Sequence, residues 1–332
     1  MRPVVPLPLW PLGPERGLLL AGMTGLRFAH ALDHEGREIT AQGLDATTIE
    51  RLSAPRPKLC GLSLDRPRLM GILNVTPDSF SDGGDHAGHA NAVARARAMV
   101  EEGAEILDIG GESTRPGAQA VAVDEEMARV VPVVAALRAA GLTVPISIDT
   151  RNAATARAAL AEGADMINDV SALTHDPGMA GVVAEAGVPI CLMHAKGTPQ
   201  EMQRAPRYDD VLAEVMDALG DRIDAAVAAG IPRDRILVDP GIGFGKHLGH
   251  NFALLRSLTA FHGFGLPLLI GVSRKRFIGT IGGAEAPKDR MPGSIAVALW
   301  AARQGAQVIR VHDIKETRQA LDLQHALMRE EP

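Results

Sequence analysis

RLMGILN, residues 68–74, is a short apolar run cut off by an asparagine, and the same event recurs seven more times. The later runs are EILDIGG (105–111), PISIDT (145–150), MINDVS (166–171), PICLMH (189–194), ILVDPG (236–241), LLIGVSRK (268–275) and VIRVHD (308–313). Strands buried on both faces read as continuous apolar runs, and successive parallel strands need a crossover, usually a helix. The intervening stretches, many Ala-rich, predict helices near 90–103, 124–140, 152–162, 176–186, 209–229, 250–260, 291–304 and 315–329. Eight such units close most simply into an α/β fold of the (β/α)8 TIM-barrel type. Polar residues then stand at the C-terminal ends of the strands, the end on which barrel enzymes build their sites.

A barrel of this kind takes roughly 250 residues. The 332 present therefore divide into an N-terminal extension, 1–65, and a barrel, 66–330. Residues 1–17 are Pro-rich and expected to be irregular. LRFAHAL and REITAQ, joined by DHEG, suggest a hairpin, and 43–52 a short helix started by Asp45 or Thr47. The extension is expected to cover the barrel floor or pack on a neighbour.

A net charge of −6 with no basic block, and 3% aromatic residues, argue against nucleic acid as the main partner. Two cysteines, Cys60 and Cys191, form no disulfide framework and fit a reducing cytoplasm. Cys191, inside a predicted strand, reads as a small apolar core residue. No apolar run is long enough for a membrane span, and four prolines before residue 14 make the N-terminus a poor signal peptide.

DPGIGFGK (239–246) fails as a nucleotide loop: position 240 is Pro where the Walker pattern needs Gly, and no Ser or Thr follows Lys246. The HxxH pairs His86/His89 and His247/His250 read as loop or surface histidines. Asn74, Asp108, Asp149, Asn168, Asp239, Lys275, Arg310 and His312, by contrast, come from seven strands and converge on one mouth, which marks a ligand site. Asp149, Asn168, Asp239 and Lys275 suit a heterocycle with adjacent N–H donors and carbonyl acceptors. Asn74, Thr114, Arg115, Arg310 and His312 suit a phosphate group. Two long polar loops, 75–89 and 111–121, are expected to act as lids.

GILNVTPDSFSDGG, EILDIGGESTRPGA, SIDT, INDVSAL, LMHAKGTPQEMQ, DPGIGFGK, GVSRK and IRVHD follow one another as in the dihydropteroate synthases, and from about residue 68 to 325 the chain resembles that family. The resemblance implies condensation of 7,8-dihydropterin-6-ylmethyl diphosphate with 4-aminobenzoate. It implies catalytic roles for Asp149, Asp239, Lys275, Arg310 and His312. Asp149, Asn168, Asp239 and Lys275 would hold the pterin ring, Arg310 would stack over it, and Arg310 with His312 would bind diphosphate. Asn74 would contact Mg²⁺ and diphosphate. Thr114, Arg115, Pro116, Phe80 and Phe244 would shape the aminobenzoate pocket, and Met193 joins the substrate-binding set.

A homodimer is also implied. The departures are Arg276, where the family often has a small hydroxyl residue, Ala195-Lys196 in place of a Met-Gln pair, and the extension itself. The alternatives are a pterin-dependent methyltransferase, a non-catalytic pterin-binding paralogue, and a Schiff-base aldolase using Lys275, with Arg274 and Arg276 as cationic neighbours.

Overall fold

In the computed structural model the described residues are 3–9, 17–75, 84–112, 121–197, 201–202 and 205–328, with backbone alone over 84–89. The N-terminal unit comes first. β1 (Val5–Pro8), β2 (Leu18–Leu19) and β4 (Glu38–Thr40) all pair antiparallel with β3 (Arg27–Leu32). The hairpin is present, but the Pro-rich start is not irregular throughout. Pro6 and Pro8 are two apart, so a strand's alternation turns both missing N–H groups to the same edge. The Leu9 N–H on the other side donates to Arg27 O at 2.8 Å. α1 (Ala46–Ser53) starts at Asp45, whose carboxylate accepts from Thr48 N at 3.0 Å and Thr48 Oγ1 at 2.6 Å. Leu20, Met23, Leu26, Phe28, Ala41 and Leu52 form the unit's small core.

The eight apolar runs become β5 (Arg68–Asn74), β6 (Ile106–Gly110), β7 (Ile146–Asp149), β8 (Met166–Asp169), β9 (Ile190–Met193), β10 (Ile236–Asp239), β11 (Leu269–Gly271) and β12 (Val308–Val311). They pair in parallel in the order β10-β9-β8-β7-β6-β5-β12-β11. A parallel bridge from Val238 to Leu268 joins the two ends, so the sheet closes into the expected (β/α)8 barrel. Around it run α2 (Gly84–Glu101), α3 (Val123–Ala139), α4 (Ala153–Ala161), α5 (Met179–Ala186), α6 (Val211–Ala228), α7 (Leu248–Arg256), α8 (Arg276–Gly282), α9 (Met291–Arg303) and α10 (Ile314–Leu327). α8 was not expected. Its seven residues, RFIGTIG, are too few for a helical apolar period to show. Among the described residues no helix is long and apolar enough to cross a membrane.

The barrel interior is stratified. Met70, Ile106, Met166, Cys191, Leu237, Leu269 and Val308, all near strand starts, form an apolar floor with Leu59 and Leu64. The turn bridged between Leu59 and Leu62 thus closes the N-terminal end of the barrel. Burial pushes the Cys191 thiol well above its ordinary range and that of Cys60 up to about 12, so both stay protonated and unreactive near neutral pH.

The extension is tied to the barrel by polar contacts. Thr259 Oγ1 donates to Pro6 O at 2.8 Å, and Arg56 donates to Arg51 O at 2.7 Å and His262 O at 3.3 Å. His262 is fully buried; burial and the Arg56 guanidinium push its pKa down to about 3. Between roughly pH 6.5 and 3 the unfolded chain binds a proton that the folded chain refuses, so stability falls as pH is lowered through that window. His262→Asn should flatten the dependence of unfolding free energy on pH between 4 and 6 by up to ~1.4 kcal/mol per pH unit, one proton's worth. Denaturant melts across that range measure it; a slope unchanged from wild type would contradict the buried neutral ring.

Candidate active site

The two-residue period of each strand carries the polar groups inward above the apolar floor. Asp108 pairs in register with Ser147, and Asp149 with Asn168. Asp108, Ser147, Asp149, Asn168 and Asp239 are all buried. Arg310, from β12, reaches across and joins the carboxylates: Nε donates to Asp108 Oδ2 at 2.5 Å, and a terminal nitrogen donates to Asp149 Oδ2 at 2.7 Å. Asn168 Nδ2 adds a bond to Asp108 Oδ2 at 3.3 Å. Asp108 Oδ1, Asp149 Oδ1 and Ser147 Oγ are buried with no hydrogen-bond partner. Buried polar atoms are nearly always paired, so a set of unpaired ones inside the barrel points to a ligand bearing N–H donors.

Charge here is finely balanced. Burial pushes the Asp149 carboxyl up to about 7, against the pull of Arg310 and with the help of Asp108. Asp239 is also raised by burial, with Lys275 opposing. Burial lowers Lys275 to about 8, with Asp239 opposing. Burial works against the Arg310 charge too, but Asp108 and Asp149 hold it above the ordinary guanidinium range.

The glycine-rich turn after β10 forms one wall. Asp239 Oδ1 accepts from Gly241 N at 2.7 Å. Gly241 has φ +67°, and a Cβ there would meet His194 O at 1.9 Å, so this position requires glycine. Two lysines hold the turn. Lys275 Nζ donates to Ile242 O and lies 4.3 Å from the centre of the Phe244 ring. Lys246 Nζ donates to Gly241 O and Phe244 O at 3.0 Å each and to His194 O at 3.3 Å, and sits 2.8 Å from His194 Nδ1. Burial pushes Lys246 down to about 7; burial together with Lys246 pushes His194 down to about 3.

Beyond β11 the chain reads Ser273-Arg274-Lys275, and each side chain goes a different way. Ser273 Oγ contacts His312, accepting from its backbone N–H at 3.2 Å and lying 2.9 Å from Nδ1. Arg274 makes a bidentate pair with Asp313. Arg276 opens α8 and is exposed. Neither arginine is therefore the cationic neighbour of Lys275 that the sequence suggested. Arg310 takes that part, alongside burial.

Asn74, half-buried, ends β5; buried Met193 ends β9 beside Gly241; half-buried Phe244 faces Lys275. Phe80, Thr114, Arg115 and Pro116, and most of both expected lids, lie outside the described residues. The segment 113–120 is bracketed by Glu112, which accepts from Arg151 at 3.1 and 2.9 Å and from Val121 N at 3.2 Å. His247 and His250 cap α7 and stack with ring centres 3.2 Å apart, a local structural role. The side chains of His86 and His89 are outside the described set.

Sequence reasoning missed Ser273, Lys246 and the Glu112–Arg151 pair. Only their placement in or next to recognised motifs, within SRK, GFGK and GGES and just after SIDT, could have flagged them.

This site belongs to a class. The model for the family described as "Pterin binding enzyme" matches residues 70–312. The dihydropteroate synthase of Escherichia coli strain K12 is 50% identical over 267 residues, covering 80% of this chain and 94% of that protein. The solved Xanthomonas albilineans dihydropteroate synthase with 4-aminobenzoic acid is 50% identical with a TM-score of 0.77, covering 83% of this chain and 100% of that one. The same enzyme in complex with 7,8-dihydropteroate gives 48% and 0.75, again covering 83% of this chain and 100% of that one. The chain belongs to the pterin-binding enzymes, and within them to the dihydropteroate synthase family.

Arg310→Met keeps much of the side-chain length and removes the charge. Two buried carboxylates would then face each other with little compensation, which should destabilise the fold by about 3–5 kcal/mol at pH 8. Without Arg310 the Asp149 carboxyl would be raised further, so the deficit should shrink as pH falls from 8 toward 5. Thermal melts of the variant and wild type at both pH values check this; a deficit independent of pH would count against the ion triad.

Proposed function

We propose that this barrel joins 7,8-dihydropterin-6-ylmethyl diphosphate to 4-aminobenzoate, giving 7,8-dihydropteroate and diphosphate in folate synthesis. The observation that carries this reading is the set of unpaired buried acceptors, Asp108 Oδ1 and Asp149 Oδ1, whose companion oxygens are bonded by Arg310 and, at Asp108, by Asn168. An aminopyrimidine ring edge presents matching donors, and a carboxylate accepts two parallel N–H bonds. The family and the bound ligands of the Xanthomonas albilineans structures support the same substrates.

The roles follow from charge and position. Asp149, Asn168, Asp239 and Lys275 hold the ring, with Met193 and Phe244 as apolar walls. Arg310 and His312, together on β12 and the residue just after it, take the charge that develops on the departing diphosphate. As the methylene carbon–oxygen bond breaks, the electron pair leaves with diphosphate, and the positive charge left on the methylene spreads into the dihydropterin ring. Asp149 and Asp239 favour that charge. The aniline nitrogen of aminobenzoate then forms the new C–N bond and loses its proton, which a weakly basic nitrogen does without a strong base. Phe80, Thr114, Arg115 and Pro116 are assigned to the aminobenzoate side by the family pattern.

Asn74 supplies an amide oxygen at the mouth, and among the described residues no group of three or more His, Cys, Asp or Glu could hold a metal. That donor set fits Mg²⁺ arriving with diphosphate and keeping its waters, rather than a resident ion. Bound there, Mg²⁺ would neutralise charge on the leaving group. The dimer expected from the family would have exposed Leu248, Ile281 and Trp300 on the neighbouring helices α7, α8 and α9 as apolar surface. Two unpaired thiols fit a reducing cytoplasm.

The deciding test is turnover of the two substrates, read as diphosphate release and as dihydropteroate formed. Absence of product from a folded, Mg²⁺-supplied enzyme would overturn the assignment. Asp239→Asn should fold, because Asn keeps an acceptor for Gly241 N. It should weaken pterin binding by about 1–3 kcal/mol, since a donor then faces ring donors. Calorimetric titration measures the loss, and an unchanged affinity would remove Asp239 from the ring site.

A further inference from the structure

His312 stands at the rim of the pocket and can meet an anion in two ways. Its neutral ring carries one proton, on Nδ1 or Nε2, and the partner of one nitrogen decides which. On the Nδ1 side that partner is Ser273. Its oxygen accepts the His312 backbone N–H at 3.2 Å and lies 2.9 Å from Nδ1. Ser273 is 8% exposed and makes no other hydrogen bond among the described residues. Its hydroxyl proton therefore has one acceptor within reach, Nδ1. Were Nδ1 protonated instead, two donors would point at the serine oxygen and the hydroxyl proton would be buried without a partner, an arrangement proteins avoid.

The serine is itself held firmly. Arg274, with φ +57°, turns the chain between Ser273 and Lys275. Its guanidinium is paired with Asp313, the residue after His312, and its N–H donates to Ser294 Oγ at 2.8 Å. Arg290 donates to its carbonyl at 3.1 Å. The two segments 273–274 and 312–313 are thus clasped at two consecutive positions.

We propose that Ser273 is a positioning residue that fixes His312 as the Nε2–H tautomer, so that the ring presents an N–H donor to the departing diphosphate. The assignment rests on the synthase reading for its purpose, while the tautomer itself is independent of it. The geometry gives Ser273 no direct part in the reaction. It acts through His312, as the outer partner of a metal-bound histidine fixes that ring.

The test uses protein labelled with ¹⁵N-histidine, at a pH where the free imidazole is neutral. The His312 signals are identified by their loss in His312→Asn. Wild type should show Nε2 protonated and Nδ1 as acceptor. Ser273→Ala should show a mixture of tautomers and bind inorganic diphosphate with Mg²⁺ more weakly. Its kcat should fall roughly tenfold, by analogy with other outer partners of functional histidines. Ser273→Thr should restore the wild-type tautomer and kcat. A wild-type ring protonated on Nδ1 overturns the proposal, as does a Ser273→Ala variant with unchanged tautomer or unchanged diphosphate affinity. The spectra and the diphosphate titration need no turnover, so a failure of the synthase reading would appear in the product assay and not in these.

Discussion

The guanidinium of Arg310 keeps two carboxylates side by side within the barrel. Asp108 is fully enclosed and Asp149 nearly so, and each gives one oxygen to Arg310. Such a triad is a poor way to gain stability, because desolvating three charges offsets most of their attraction. Its effect is to hold two further oxygens in fixed positions, dry and unpaired. An arrangement made for stability would have left none. The remainder of the fold supplies what makes this arrangement tolerable.

That support comes from below. The floor made of Met70, Ile106, Met166, Cys191, Leu237, Leu269 and Val308, closed by Leu59 and Leu64, keeps water out of the N-terminal end of the barrel. A low-dielectric base strengthens the pairing of Arg310 with its carboxylates and at the same time penalises every unpaired charge above it. The raised carboxyls of Asp149 and Asp239 and the lowered Lys275 are the direct result. The extension contributes through Leu59–Leu64 and through the Arg56–His262 contact, both remote from the mouth. It acts on the site by sealing the barrel.

The eight strands were legible because burial on both faces leaves a continuous apolar run, and each run stopped where a polar side chain turned into the mouth. α8 was not legible, since seven residues give a helical period no room. β1 was hidden by its prolines, whose edge placement depends on a pairing with β3 far along the chain. Asp149, Asn168, Asp239, Lys275 and Arg310 could be gathered at one mouth from the strand pattern alone. The family pattern extended that set to residues in the loops. Lys246 escaped notice because its partners include backbone carbonyls, which every residue has and no sequence advertises. Ser273 escaped because its partner, His312, is 39 positions away.

The same electrostatics bears on what kind of chemistry the pocket can host. Burial raises the Asp149 carboxyl and lowers the Lys275 ammonium, each against the pull of an opposite charge. A lowered lysine is also what an imine-forming enzyme needs, so that direction alone does not choose between mechanisms. Geometry does. Lys275 Nζ donates to the Ile242 carbonyl and lies over the Phe244 ring, with Asp239 favouring its charged form. These contacts favour an ammonium used as a donor over a free amine used as a nucleophile. A positive charge developing on a bound ring would pull Asp149 and Asp239 toward ionisation, because opposite charge lowers a carboxyl pKa. The carboxylates would thus strengthen their hold as the leaving group departs. A pocket so arranged would respond to the charge of the transition state more than to that of the ground state, which is the condition for accelerating a reaction rather than only binding its substrate.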